Sequence, residues 1–332
     1  MKSPEYPLAV GGQAVLEGVM MRSPHALAVA VRRPDGTMIL KDEAYVSLAE
    51  RYPVFKRPLL RGPLILIEAM VTGIKALTFS AQAALQEEEA DQEEAPLGWG
   101  SIALTMGGAF LLAFLLFGFL PHWLSGLAGH LVGRSLTPAD FTFHLIDGFI
   151  KAAFILLYIW GISFFPDIRR VFQYHGAEHK SICTFECGEE LTVAHARRHP
   201  TAHARCGTSF ILVVLLVSIL IFTVFFPFFP PLTRTGLGNN LIQVLVKVGL
   251  MFPIAAASYE IIRWGGKRTG HPLARVLLWP GLATQRLTAL EPDDSQLEVA
   301  LEALKAVLAR EQHPAAAEQA VLDQAQLAQC QQ

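Results

Sequence analysis

The chain has 332 residues, of which 52% are hydrophobic and 17% charged, with a net charge of −2. An average soluble protein carries about a quarter charged residues, and this apolar excess is gathered into long runs that a soluble core has no room to hide. The net charge of −2 says nothing about partners, and no basic stripe with interleaved aromatics points to nucleic acid, so no nucleic-acid partner is expected.

In chain order, residues 1–50 read as a β-rich segment. The first 25 residues lack a continuous apolar core, so no cleavable signal peptide is expected. Gly11-Gly-Gln-Ala-Val-Leu-Glu-Gly-Val-Met-Met-Arg22 is rich in glycine and methionine and fits a buried turn better than a free tail. Ala26-Leu-Ala-Val-Ala-Val31 and Thr37-Met-Ile-Leu40 flank Arg32-Arg-Pro-Asp-Gly36, whose Pro-Asp-Gly turn predicts a hairpin. Residues 51–96 read as an amphipathic helix and an acidic linker. Arg61, Glu68 and Lys75 inside Leu59–Ala84 argue against a spanning helix and favour one lying on the membrane or packed on the domain. Gln86-Glu-Glu-Glu-Ala-Asp-Gln-Glu-Glu94 reads as a solvated linker.

Residues 97–166 and 208–264 hold four windows of the roughly 20 apolar residues that a bilayer crossing requires: Ser101–Leu120, Leu145–Phe165, Thr208–Pro230 and Leu241–Ile262. Between the pairs, residues 167–207 form a polar loop. Residues 265–332 begin with a polar, glycine-bearing exit at Trp264–His271. They continue to an amphipathic helix, Leu297–Arg310, with Ser295-Gln-Leu-Glu298 as its expected capping box.

Ten Lys/Arg precede the first window. The loops after the first and third windows carry only Arg134 and Arg234. The central loop carries Arg169, Arg170, Lys180, Arg197, Arg198 and Arg205, and seven more Lys/Arg follow the fourth window. This alternation obeys the positive-inside rule and places both termini and the central loop in the cytoplasm of a multi-pass protein of the inner (plasma) membrane. Cys183, Cys187, Cys206 and Cys330 all fall on that reducing side, so no disulfide framework is expected.

The central loop holds the residues suited to chemistry. Tyr174-His-Gly-Ala-Glu-His-Lys180 places His175, Glu178 and His179 on one helical face. Two imidazoles there suit a divalent metal such as zinc, with Glu178 as general base on water; His-x-x-Glu-His is also the pattern of inverted zinc metallopeptidases. His203 and Cys206, spaced i, i+3, form a second metal-capable cluster. Cys183 and Cys187 lie a turn further along. His195 and His199 sit in a basic segment that suits solvent or lipid headgroups. Glu260, near the cytoplasmic end of the fourth window, and Glu17, if Gly11–Arg22 folds against the central loop, are additional candidates. Asp147 and Lys151 are i, i+4 inside the second window, where charges are costly and pair.

Gly11–Arg22, Tyr174–Lys180, Gly188-Glu-Glu-Leu-Thr192, Arg205-Cys-Gly-Thr-Ser-Phe210 and Pro280-Gly-Leu-Ala-Thr-Gln-Arg-Leu-Thr288 closely resemble the YqhQ-like family over nearly the whole chain. The resemblance implies a bacterial membrane protein of a family labelled as metal-dependent enzymes. Where that family tends to read His-Pro-Arg-Cys, this chain has His203-Ala-Arg-Cys206, with His199-Pro200 nearby; the spacing to Cys206 favours His203 for the family role.

The expected fold is an α-helical membrane protein with about four transmembrane helices and a small α+β cytoplasmic domain. The leading functional expectation is a membrane-bound metal-dependent hydrolase using His175, His179, His203 and Cys206 as ligands and Glu178 as base. The alternative is a non-enzymatic assembly or scaffold factor with a structural metal site. A transporter using Asp147, Lys151 and Lys247 ranks third, because no helix is broken midway by paired Gly/Pro at matching positions.

Overall fold

The computed structural model describes residues 8–85, 99–131, 140–228, 236–268 and 270–312. It divides into two compact units. One comprises Met1–Asp91, Ile162–Ser209 and Gly281–Gln332, the other Gln92–Gly161 and Phe210–Pro280. The acidic run 86–94, Arg134, Arg234 and Cys330 lie outside the described residues.

The first unit is built on an antiparallel meander of β1 (Gly11–Val15), β2 (Gly18–Arg22), β3 (Ala26–Arg32) and β4 (Met38–Ala44), in the order β1-β2-β3-β4. The hairpin read from Pro-Asp-Gly is present: Arg32 pairs with Met38, and Gly36 takes the left-handed φ of +85° that the turn requires. Strand β3 is an unbroken apolar run because both of its faces are covered. On one face Val19, Met21, Ala26, Ala28 and Ala30 pack against α6 (Pro166–Glu186) and α11 (Asp294–Glu311). The alanines have no bulk beyond Cβ, which lets both helices sit close to the sheet. On the opposite face Val15, Met20, Leu27, Val29 and Val31 pack against Ala76, Phe79 and Ala83 of α2 (Arg61–Leu85). A short helix, α1 (Leu48–Arg51), precedes α2. The carboxylate of Glu68, itself buried, ties the two together by accepting from the Ser47 hydroxyl and the Leu48 N–H.

The cap of helix α11 lies two residues before the expected one, Ser295. Its cap is Asp293, whose side chain accepts from Gln296 N–H while the Gln296 side chain accepts from Asp293 N–H. Asp293 wins over Ser295 because its partner at the third helical position is Gln296, fully buried and fixed in place.

In the second unit, α3 (Trp99–Phe114) runs through a π-helical stretch, Leu115–Phe119, into α4 (Leu120–Leu131). Alongside are α5 (Phe141–Ile162), most of α8 (Gly207–Phe225), α9 (Gly236–Gly266) and the first half of α10 (Pro272–Thr288); α7 (Val193–Ala196) belongs to the first unit. Helix α9 runs on through Trp264 to Gly266, so the polar exit starts later than its composition suggests. Helices α5 and α8 touch at Gly148, where a Cβ would lie 2.4 Å from the Ile219 side chain. Asp147 and Lys151 form an ion pair at 2.5 Å. The ammonium of Lys247 lies over the rings of Phe222 and Phe226 at 5.7 and 5.3 Å.

Five described helices are long and apolar enough to cross a membrane: Arg61–Ala84, Gly107–His130, Phe141–Ile162, Gly207–Phe228 and Leu245–Gly266. Four overlap the four windows read from the sequence. The fifth is α2, which meets the length and composition despite Arg61, Glu68 and Lys75.

Candidate metal centre

Helix α6 sets the geometry of the site. Pro166 opens it at a position where a missing N–H costs nothing. Tyr174, Ala177 and Ile182 face the core under the sheet. The adjoining face carries His175, Glu178 and His179, all buried. Gly176 between them is required by packing: a Cβ there would lie 1.9 Å from the Leu290 carbonyl oxygen. Segment 288–291 can therefore run against the helix, with Leu290 N–H donating to the Phe172 carbonyl at 2.9 Å.

This close approach delivers the Thr288 carbonyl to His175, whose Nδ1–H donates to it at 2.7 Å. That bond leaves the lone pair on Nε2, which lies 3.1 Å from Cys206 Sγ. His179 repeats the arrangement. Its Nδ1–H donates to the Thr201 carbonyl at 2.5 Å, and its Nε2 is buried without a hydrogen-bond partner. Burial pushes the His179 pKa down, with the Cys206 thiol pulling the other way, so the ring is neutral and able to ligate. His175, His179 and Cys206 are 9%, 1% and 7% exposed, and one ligand atom from each lies within 4.8 Å of the others. A tetrahedral zinc site has donors roughly 3.4–3.8 Å apart, which small side-chain rotations reach from here. A backbone carbonyl on each Nδ1 is the outer-shell partner that metal-bound histidines ordinarily have.

The other expected residues surround this trio in different ways. Glu178 is 6% exposed; burial raises its pKa, opposed by His175, His203 and the N–H of Gly12. Gly12 lies on the edge strand β1, and a Cβ there would come within 2.7 Å of Glu178 Cγ. The N-terminal segment thus folds against the central one through a glycine. Glu17 occupies the turn after β1 at φ +51° and pairs with Arg170 at 2.5 Å and the Tyr174 hydroxyl at 3.3 Å; it is not one of the three clustered donors. His203 stands beside the trio, its ring 5.6 Å from that of His179, with Nε2 turned to Glu186 at 3.4 Å. Burial lowers the His203 pKa, with Glu178 opposing. Glu260 lies on α9 in the other unit. His195 bonds Thr192 and His199 pairs with Glu189. Cys183 and Cys187 are free thiols on the last turn of α6 and at its end.

One residue important to the geometry escaped the motif reading. Gln285, 1% exposed on α10, accepts from the His203 N–H at 2.8 Å. Its amide donates to the His203 carbonyl at 2.9 Å and to the Ser209 hydroxyl at 2.8 Å. It brackets the backbone that carries Cys206. The only sequence signal was its place in Pro280–Thr288.

A family model described as protein of unknown function (DUF1385) matches residues 57–310, a span that includes every residue of the trio together with Glu178, His203 and Gln285. The chain belongs to the DUF1385 family. The chain is also similar to the "Uncharacterized protein YqhQ" of Bacillus subtilis (strain 168), 34% identical over 316 residues, covering 93% of this chain and 95% of that protein. No solved structure matches the DUF1385 chain.

Proposed function

We propose that this protein is a multi-pass protein of the bacterial plasma membrane whose sheet-bearing unit faces the cytoplasm and carries a mononuclear zinc centre used for hydrolysis. Four helices cross the bilayer in this reading, and α2 does not. The observation that carries the metal assignment is the matched pair of histidines. Each Nδ1–H is spent on a backbone carbonyl, and each Nε2 is left beside the same buried thiol. His175, His179 and Cys206 would hold the ion through two imidazole nitrogens and one thiolate sulfur, with a fourth position open for water or substrate. A zinc ion there supplies Lewis acidity toward a substrate oxygen and eases deprotonation of water. Glu178 receives the proton on its carboxylate: burial raises its proton affinity, and the Gly12 N–H orients it.

A structural zinc site in a scaffold protein is the second reading, favoured by one specific observation. His203 stands close enough to His179 for a modest ring movement to close a four-ligand shell. Metal analysis of the purified protein, with its coordination number measured by X-ray absorption, separates the two. The hydrolase reading, with His203 left out of the ligand set, expects one zinc per chain and three protein donors. His175→Ala, His179→Ala and Cys206→Ser each lose most of the metal, while His203→Ala and Glu178→Gln keep it. Four protein donors would support the scaffold reading, and full metal content in His175→Ala and His179→Ala would overturn both.

A further inference from the structure

Helix α2 is amphipathic in the reverse sense. The face it turns to the sheet is mostly small or polar: Gly73, Ala76, Ser80 and Ala83, with the buried carboxylate of Glu68; Phe79 packs there too, and Leu64 is buried in the first turn. Most of its other large aliphatic side chains point away. Ile67, Met70 and Ile74 are 56%, 59% and 61% exposed, and Val71 and Leu77 continue the stripe. The spacing 67, 70, 71, 74, 77 is one continuous helical face. In water that orientation is the unfavourable one, since fully burying a side chain of this size is worth about 1.5–3 kcal/mol. The preceding segment adds Val46, Leu48, Tyr52, Val54 and Leu59, all exposed.

The charges around this apolar surface identify what covers it. Residues 46–85 contain Arg51, Lys56, Arg57, Arg61 and Lys75 against Glu50 and Glu68, and Glu68 is turned inward to α1. Basic residues flanking exposed apolar and aromatic side chains are the chemistry of an anionic membrane surface. Spanning is disfavoured even though α2 is long enough. The sheet lies along its inner face, and β4 carries Lys41, Asp42 and Glu43. The Lys41 ammonium stands over the ring of Phe79 on α2 itself, 5.7 Å from its centroid. A transmembrane α2 would draw those charges into hydrocarbon.

We propose that α2 lies in the plane of the bilayer, its Ile67–Leu77 face sunk among acyl chains and its basic flank on anionic headgroups, docking the sheet-bearing unit on lipid. The inference is independent of the metal centre, and reporter fusions after Pro200 read sidedness separately from it. The test uses the full-length protein in nanodiscs, with Cys183, Cys187 and Cys330 changed to serine. A fluorophore is placed in turn at Ile67→Cys, Met70→Cys, Ile74→Cys and Leu77→Cys, with Lys305→Cys on α11 as control. Lipids bearing a nitroxide at acyl carbon 5 or carbon 12 report depth. The expected result is strong quenching by the shallow probe at all four positions, severalfold weaker quenching by the deep probe, and none at Lys305. Replacing phosphatidylglycerol by phosphatidylcholine should lower the quenching at least twofold. A depth that increases steadily from Ile67 to Leu77, about 15 Å of helix, would mean that α2 spans and would overturn the proposal. Absence of quenching at all four positions would mean water or protein covers the face and would also overturn it. Quenching indifferent to lipid charge would remove the headgroup part.

Discussion

One donor of the trio, His179, and the carboxyl beside it, Glu178, are held in opposite senses by burial. Burial makes His179 harder to protonate, and it makes Glu178 harder to deprotonate. The signs give a pH test. A carboxyl with a raised folded pKa adds stability that is fully present below its unfolded value near 4.5 and is lost as pH rises through the raised value. In metal-free protein, Glu178→Gln should therefore gain on the parent between pH 5 and pH 8. The limiting slope is about 1.4 kcal/mol per pH unit. His179 and His203 have lowered pKa values and cost stability below about pH 6.5, but both proteins carry them, so they largely cancel in the difference. Denaturant unfolding of the two proteins across this range checks the prediction, and parallel pH profiles would show that Glu178 is already ionised.

At the scale of elements, the local patterns were legible in the sequence and the long-range contacts were not. The β3–β4 turn, the co-facial His175, Glu178 and His179, and the i, i+4 pair Asp147–Lys151 all follow from spacing alone. The Thr288 and Thr201 carbonyls that orient the two histidines are backbone groups and leave no mark in composition. Gly12 and Gly176 look like any helix or strand glycine until Glu178 and the Leu290 carbonyl are seen to fill the space where a Cβ would go. The charges inside α2 argue against spanning, and the helix does pack on the sheet; that Glu68 is spent on Ser47 and Leu48 of α1 was not legible from spacing. Gln285 is the plainest case: its role arises 82 residues away, at His203. Under the proposed zinc reading, Gln285→Ala should lower zinc affinity severalfold, because the backbone leading to Cys206 loses its clamp at His203 and Ser209. It should also cost roughly 2–3 kcal/mol, because the His203 N–H and carbonyl lose their partner. Competition with a chromophoric chelator reads the first effect, thermal unfolding the second. Affinity within twofold of the parent would show that the Cys206 backbone is held by other contacts.

For the whole molecule, the sheet-bearing unit is assembled from three stretches of chain separated by helices long enough to cross a membrane. Its core joins strands near residue 20 to Leu297, Leu301, Leu304 and Val307 of α11, and His25 meets Glu311 across 286 residues. A chain ending at Glu291 keeps all three donor residues but lacks the helix that covers the alanine face of β3. It should be protease-sensitive between β1 and β4 and hold no stoichiometric zinc, whereas Glu298→Ala, at the partly exposed end of an ion pair with Arg32, should leave both properties unchanged. Limited proteolysis beside metal analysis tests this, and a protease-resistant, zinc-loaded truncation would show that α11 is dispensable. The discontinuity also has a consequence for biogenesis. Ribosomes add about 5–20 residues per second, so the meander waits some tens of seconds for its last covering helix while the intervening apolar helices are synthesised. Until α11 arrives, the alanine face of β3 lacks one of the two helices that cover it in the folded unit.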